Sequence, residues 1–102
     1  LEQDGAWVAA LRLYALEQCY YIEALETAPE YRRRGYGSRL LRELIRDLER
    51  TGPVELRDCV RKTNQASLRT HFAAGFQIGQ DPGVDCLSGE SSDRDFGMLY
   101  RT

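Results

Sequence analysis

Residues 31–38 read Tyr-Arg-Arg-Arg-Gly-Tyr-Gly-Ser, and an apolar helical pattern follows at once. A solvated basic run needs no glycines, and a plain turn needs no arginines. The two together ask for an anion. The first N–H groups of a helix have no partner within it, and the helix dipole adds partial positive charge at the same end. Gly35 and Gly37 have no Cβ, so a phosphate can approach the backbone closely there. Arg33 and Arg34 can add charge-assisted hydrogen bonds, each worth about 1.5–3 kcal/mol. The stretch is neither the dinucleotide fingerprint GxGxxG nor a Walker loop, because no GK[ST] occurs.

A second stretch carries polar residues at helical spacing. Asn64, Ser67 and His71 are separated by three and four residues and so line one face of a helix. Leu68 and Phe72 form the neighbouring stripe, expected to face the core. The polar face is expected to look into a ligand groove. His71 is the only histidine of the chain. Its residue type suits proton transfer near neutral pH and equally a structural hydrogen bond, and the residues alone leave both readings open.

These residues need elements to hold them. Asp4-Gly5 is a hairpin turn signal. Residues 6–17 and 19–27 read as two strands, the second ending before Pro29 with Tyr21, Glu23, Leu25 and Thr27 on one face. Leu40, Leu41, Leu44, Ile45 and Leu48 give residues 37–51 one apolar helical stripe, stopped by Gly52-Pro53. A strand over 54–60, a helix over 64–74 closed by Gly75, and strands at 76–78 and 96–100 complete the order. Residues 81–95 are polar and rich in turn formers, and read as a flexible loop or a weakly specified hairpin. Strands outnumber helices, which predicts a mixed sheet with helices packed on its faces.

Composition limits the function. The chain has 102 residues, a length for one domain, and a net charge of −2. Its basic character is local, between Arg32 and Arg50, so the molecule as a whole is no general polyanion binder. Cys19, Cys59 and Cys86 are widely spaced without a CxxC pair, which argues against a disulfide framework or a metal site and fits a reducing cytoplasm. No apolar run is long enough for a membrane span, and no signal peptide is visible. The first residue is leucine, so an upstream part is expected to be missing.

With both stretches in hand, the chain resembles the GNAT superfamily of acyl-CoA-dependent N-acyltransferases. Arg32-Arg33-Arg34-Gly35-Tyr36-Gly37 matches that family's [Q/R]xxGx[G/A] pyrophosphate motif, led in by Ala28-Pro29-Glu30-Tyr31. Asn64 to Ser67 through Gly75-Phe76 matches its downstream NxxSxxxYxxxGF pattern, with His71 in place of the tyrosine. The resemblance implies an α/β fold of GNAT type: a mixed, mostly antiparallel central sheet with helices on both faces, here one domain over residues 1–102 without the usual N-terminal strand and helices. It implies acetyl-CoA as the acyl donor and a small-molecule or peptide amine as acceptor. It also implies that a bulge at Leu25 and Thr27 holds the pantetheine arm and polarises the thioester. Arg32, Arg33, Arg34, Gly35, Tyr36, Gly37 and Ser38 would hold the pyrophosphate, and Asn64 would contact the pantetheine arm where two parallel strands part. His71 would protonate the departing thiolate, and Glu23, on the face of Leu25, would take the amine's proton. The missing N-terminal part leaves room for a homodimer in which a second copy covers the open sheet edge.

Two other readings compete. A GNAT-like module could bind acyl-CoA without turnover, since the acceptor side is incomplete and His71 replaces tyrosine. A nucleic-acid binder could use Arg32 to Arg34 and Arg39 as a phosphate patch, but the net negative charge and the lack of interleaved exposed aromatics argue against it. Acidic Glu17, Glu23 and Glu26 point weakly to a cationic acceptor.

Overall fold

The computed structural model of the chain describes residues 2–3, 6–7, 9–27 and 35–102. The Asp4-Gly5 turn and the segment 28–34, with Arg32, Arg33 and Arg34, lie outside the described residues. Two short strands, β1 (Glu2–Gln3) and β2 (Ala6–Trp7), pair antiparallel, with Glu2 opposite Trp7. The chain continues through β3 (Ala9–Ala15), β4 (Tyr20–Thr27), α1 (Tyr36–Glu49), β5 (Glu55–Arg61), α2 (Gln65–Ala73), β6 (Gln77–Gln80), β7 (Gly83–Val84), β8 (Ser91–Ser92) and β9 (Asp95–Arg101).

Five strands form the central sheet in the order β3-β4-β5-β9-β6. Every neighbouring pair is antiparallel except β4 and β5, which run parallel with α1 as the crossover between them. The GNAT-type mixed, mostly antiparallel sheet expected from the sequence is present.

Alternation along β5 sets the core. Leu56, Asp58 and Val60 are buried, whereas Arg57 and Cys59 on the other side are half-buried. Leu56 and Val60 join Ile22 of β4, Met98 of β9, Leu41 and Ile45 of α1, and Leu68 of α2 in one cluster. Both helices feed this cluster, as the apolar stripe of α1 dictates. Removing the fully buried Leu41 side chain would cost about 2–5 kcal/mol. On the other face, Tyr21 is buried.

The polar segment 81–95 contains the hairpin alternative, with β7 and β8 paired antiparallel. Gly83 is required there by a close approach: a Cβ on it would lie 2.8 Å from the Phe96 carbonyl carbon.

Candidate active site

The parallel pair β4–β5 is joined for only three residues. Tyr20, Tyr21 and Ile22 stand opposite Leu56, Arg57 and Asp58, and there the pairing stops. Yet β4 runs on to Thr27 and β5 to Arg61. The two strands thus part into a fork. On its other edge β4 carries a bulge. Arg12 of β3 faces Glu23 and Ala10 faces Glu26, so Ala24 and Leu25 together oppose the single residue Leu11. Among the described residues the bulge and the strand beyond it have no partners on β5, and unpaired backbone donors and acceptors are what an amide-bearing arm would need.

The bulge also corrects a detail of the sequence reading. A regular strand would keep Glu23 and Leu25 on one face. With an extra residue between them, Leu25 instead packs toward the core cluster that holds Ile22. Glu23 stays on the other side, and its carboxylate accepts a 2.6 Å hydrogen bond from Arg12. Thr27, the last residue of β4, pairs with Ala9.

Beyond the fork, α1 begins at Tyr36 behind Gly35, whose φ of 78° lies in the left-handed region that glycine adopts without strain. Among the described residues no side chain caps this helix. Gly37 and Ser38 are buried in its first turn, and the Ser38 hydroxyl donates to the Gly35 carbonyl at 3.1 Å. The first turn contains no acidic residue, so nothing there competes with an incoming anion.

The start of α2 is built differently. Asn64 accepts the Ser67 N–H on its side-chain oxygen at 3.1 Å, closing the helix end, and remains exposed. The face of α2 turned to the sheet is not the one that periodicity suggested. Leu68 and His71 are buried, while Phe72 is 48% exposed. The expected polar groove face and apolar core face have therefore exchanged a residue, because the core supplies a polar partner for histidine. His71 Nε2 lies 2.6 Å from Asp58 Oδ2, and Nδ1 donates to the Ser67 carbonyl at 2.8 Å. The imidazole is 1% exposed and stands nearly perpendicular to the Phe76 ring, at 82°.

This geometry excludes one tempting assignment. Asp58, His71 and Ser67 have the residue types of a nucleophilic triad, and the Ser67 hydroxyl is 3.5 Å from Nδ1. A carbonyl oxygen can only accept, so Nδ1 carries a hydrogen toward the Ser67 carbonyl and cannot serve as the base for its hydroxyl.

A profile of the Acetyltransferase (GNAT) family matches residues 1–76. The chain belongs to this family. Solved GNAT structures share its fold along nearly all of its length. The ribosomal-protein-S18-alanine N-acetyltransferase of Escherichia coli is 24% identical with a TM-score of 0.77, over 98% of this chain and 64% of its own. The PaiA N-acetyltransferase of Thermoplasma acidophilum, solved in complex with coenzyme A, gives 22% and 0.78, over 99% and 57%. A GNAT acetyltransferase of Elizabethkingia anophelis with acetyl-CoA bound gives 14% and 0.78, over 99% and 72%. The chain thus spans less than two thirds of the first and second of these proteins. No curated protein sequence matches it.

Within the GNAT frame, one residue escaped the sequence reading. Asp58 is a carboxylate in the buried half of an alternating strand, between Leu56 and Val60, and that placement alone demands a partner. The alternation was visible; the partner, one helix away, was not. Burial pushes the Asp58 carboxyl above its ordinary range, against the opposing pull of His71. The three cysteines are free thiols, and two of them meet in space. Cys59 Sγ donates to the Val84 carbonyl at 3.2 Å, and Cys86 Sγ lies 4.0 Å from the same oxygen. Among the described residues no group of side chains is arranged to hold a metal ion, and no helix is long and apolar enough to cross a membrane.

Proposed function

We propose that the chain is an N-acetyltransferase that moves the acetyl group of acetyl-CoA to a primary amine by direct attack, with donor and acceptor bound together. The observation that carries this reading is the β4–β5 fork opening beside the glycine-led start of α1, which no side chain caps among the described residues. The fork suits the pantetheine arm, with the bulge at Leu25 and the backbone up to Thr27 on one side and Asn64 on the other. The helix end, with Gly35, Tyr36, Gly37 and Ser38 and the preceding Arg32, Arg33 and Arg34, suits the pyrophosphate. Acetyl-CoA supplies the activated acyl group. Glu23 takes the amine's proton once its carboxylate parts from Arg12. His71 returns a proton to the departing thiolate once its ring parts from the Asp58 contact. The neighbours bound to coenzyme A and acetyl-CoA support the cosubstrate. A second copy of the chain as homodimer partner and the cytoplasm as location belong to the same reading.

A second reading, an acyl-CoA binder without turnover, is favoured by one observation. Both groups assigned to proton transfer are already engaged, Glu23 by Arg12 and His71 by Asp58 and Ser67.

Calorimetric titration with acetyl-CoA, beside dephospho-CoA and ATP, tests the cosubstrate: micromolar binding that prefers acetyl-CoA is expected, and equal or absent binding would refute it. Thiol release over a panel of primary amines separates the two readings. A polyamine, an aminoglycoside and peptides with a free N-terminus or lysine cover the acceptor classes. Release that falls in Glu23→Gln and His71→Phe supports the enzyme, and no release with any amine supports the binder.

A further inference from the structure

We infer that Asp58 and His71 act as one positioning pair, which keeps a single proton between Oδ2 and Nε2 through the neutral range and pins α2 beside the fork. Its bearing on acetyl transfer rests on the function proposed above; the pair itself does not.

The pin is visible in how α2 is fastened. Only Leu68 and His71 of this nine-residue helix are buried, so the imidazole is half of its anchor. The ring is held by Asp58 from β5, by the Ser67 carbonyl one turn back, and by the nearly perpendicular Phe76 ring with centroids 5.1 Å apart. Asp58 stands opposite Ile22, the last pair before β4 and β5 part. The helix whose first residues follow Asn64 is therefore tied to the sheet at the root of the fork.

The proton follows from counting donors. Nδ1 already spends its hydrogen on the Ser67 carbonyl. A 2.6 Å contact between Nε2 and Oδ2 needs one more, carried either by the ring as imidazolium or by the carboxyl group. Both forms leave the pair neutral overall. Without that proton a carboxylate would face the lone pair of Nε2, both out of water, and each would lose its only compensation. The raised carboxyl of Asp58 agrees in direction.

The surroundings add no competing charge. On the sheet's other side, Tyr21 of β4 and Cys59 of β5 sense the charge of Asp58, and burial pushes both upward, toward their neutral forms. Across the register on β9 stands Met98, and α1 contributes Leu41 and Ile45 to the same core. Among the described residues, no lysine or arginine is within ion-pair reach of Asp58.

Because the chain has one histidine, ¹⁵N spectra of its imidazole report on the pair without assignment. In the parent protein both ring signals are expected to stay constant from about pH 5 to 9, with a slowly exchanging proton at the pair. A ring that titrates like a free imidazole, near pH 6.5, would overturn the inference. Asp58→Asn can still donate to Nε2 but stores no proton, whereas Asp58→Leu keeps the size and removes the hydrogen bond. In Asp58→Leu the amides of α2 should exchange at least tenfold faster relative to those of α1, and in Asp58→Asn they should keep their protection. Unchanged relative exchange in Asp58→Leu would overturn the positioning role. Should Asp58→Leu fail to fold, the parent's ring signals and Asp58→Asn still decide. Acetyl-CoA affinity provides the link to function, with an expected loss of about tenfold in Asp58→Leu. If the parent binds no acetyl-CoA, the proposed function fails, while ring and exchange data still judge the pair.

Discussion

At the start of α1 the chain presents Gly35 in the left-handed region, buried Gly37, and no capping side chain among the described residues. At the start of α2 it presents Asn64, whose side chain takes the Ser67 N–H and closes the end. Both ends face the same physical problem, since the first N–H groups of any helix lack partners. One end solves it within the protein. The other begins at a left-handed glycine, and an arginine run precedes it in the sequence; in the function proposed above this is the end that takes the pyrophosphate. The contrast separates a stretch proposed to bind by its backbone from one that is first of all a fastening.

The strongest way to break that contrast is to fill the open end. Gly37→Val puts a branched side chain where the backbone must be approached, and should weaken acetyl-CoA binding by more than about 100-fold, roughly 2.7 kcal/mol or more. Calorimetry of the folded variant checks this. Parent-like binding by Gly37→Val would mean that the phosphate is held elsewhere.

The closed end should answer to pH instead. Asp58 has a folded-state carboxyl raised above its ordinary range, so the stability it confers is present at lower pH and is lost as pH rises through the folded value. Stability should therefore fall with rising pH wherever the folded carboxyl still holds the proton that the unfolded one has lost, by up to about 1.4 kcal/mol per pH unit. Denaturant unfolding at fixed pH values measures the slope. Asp58→Asn should flatten it, and an equal slope in that variant would assign the loss to another group.

Next in size is the cap. Asn64→Ala removes the bond to the Ser67 N–H and should cost about 1 kcal/mol of stability. If Asn64 also meets the pantetheine arm, acetyl-CoA affinity falls with it; a pure fastening would leave the affinity of the folded variant untouched.

These differences explain what could be read from the sequence. The stripe of α1, from Leu40 to Leu48, fixes a helix and its buried side because five apolar residues agree on one face. The stretch 31–38 suggests an anion because glycine and arginine each exclude the bland explanation of the other. The orientation of α2 was not. His71 and Phe72 are adjacent, and hydrophobicity assigns the core to phenylalanine. The deciding fact is a carboxylate on β5, which periodicity in α2 cannot know. The bulge at Ala24–Leu25 was hidden for the same kind of reason, since it is a property of two strands in register. Residues 6–17 read as one strand, whereas β2 (Ala6–Trp7) pairs with β1 and β3 (Ala9–Ala15) pairs with β4.

The smallest test separates charge from backbone at the open end. Arg39 lies in the first turns of α1, its N–H bonded to the Gly35 carbonyl and its guanidinium 3.2 Å from Glu43, both side chains largely exposed. An exposed pair at this spacing is worth about 0.3–0.5 kcal/mol. Arg39→Ala should cost that much stability and change acetyl-CoA affinity by no more than about threefold, because a cation already paired to Glu43 in water adds little attraction at the helix end. A tenfold loss in Arg39→Ala would show that α1 holds its anion by the field of its arginines, and the glycines would then matter for the turn alone.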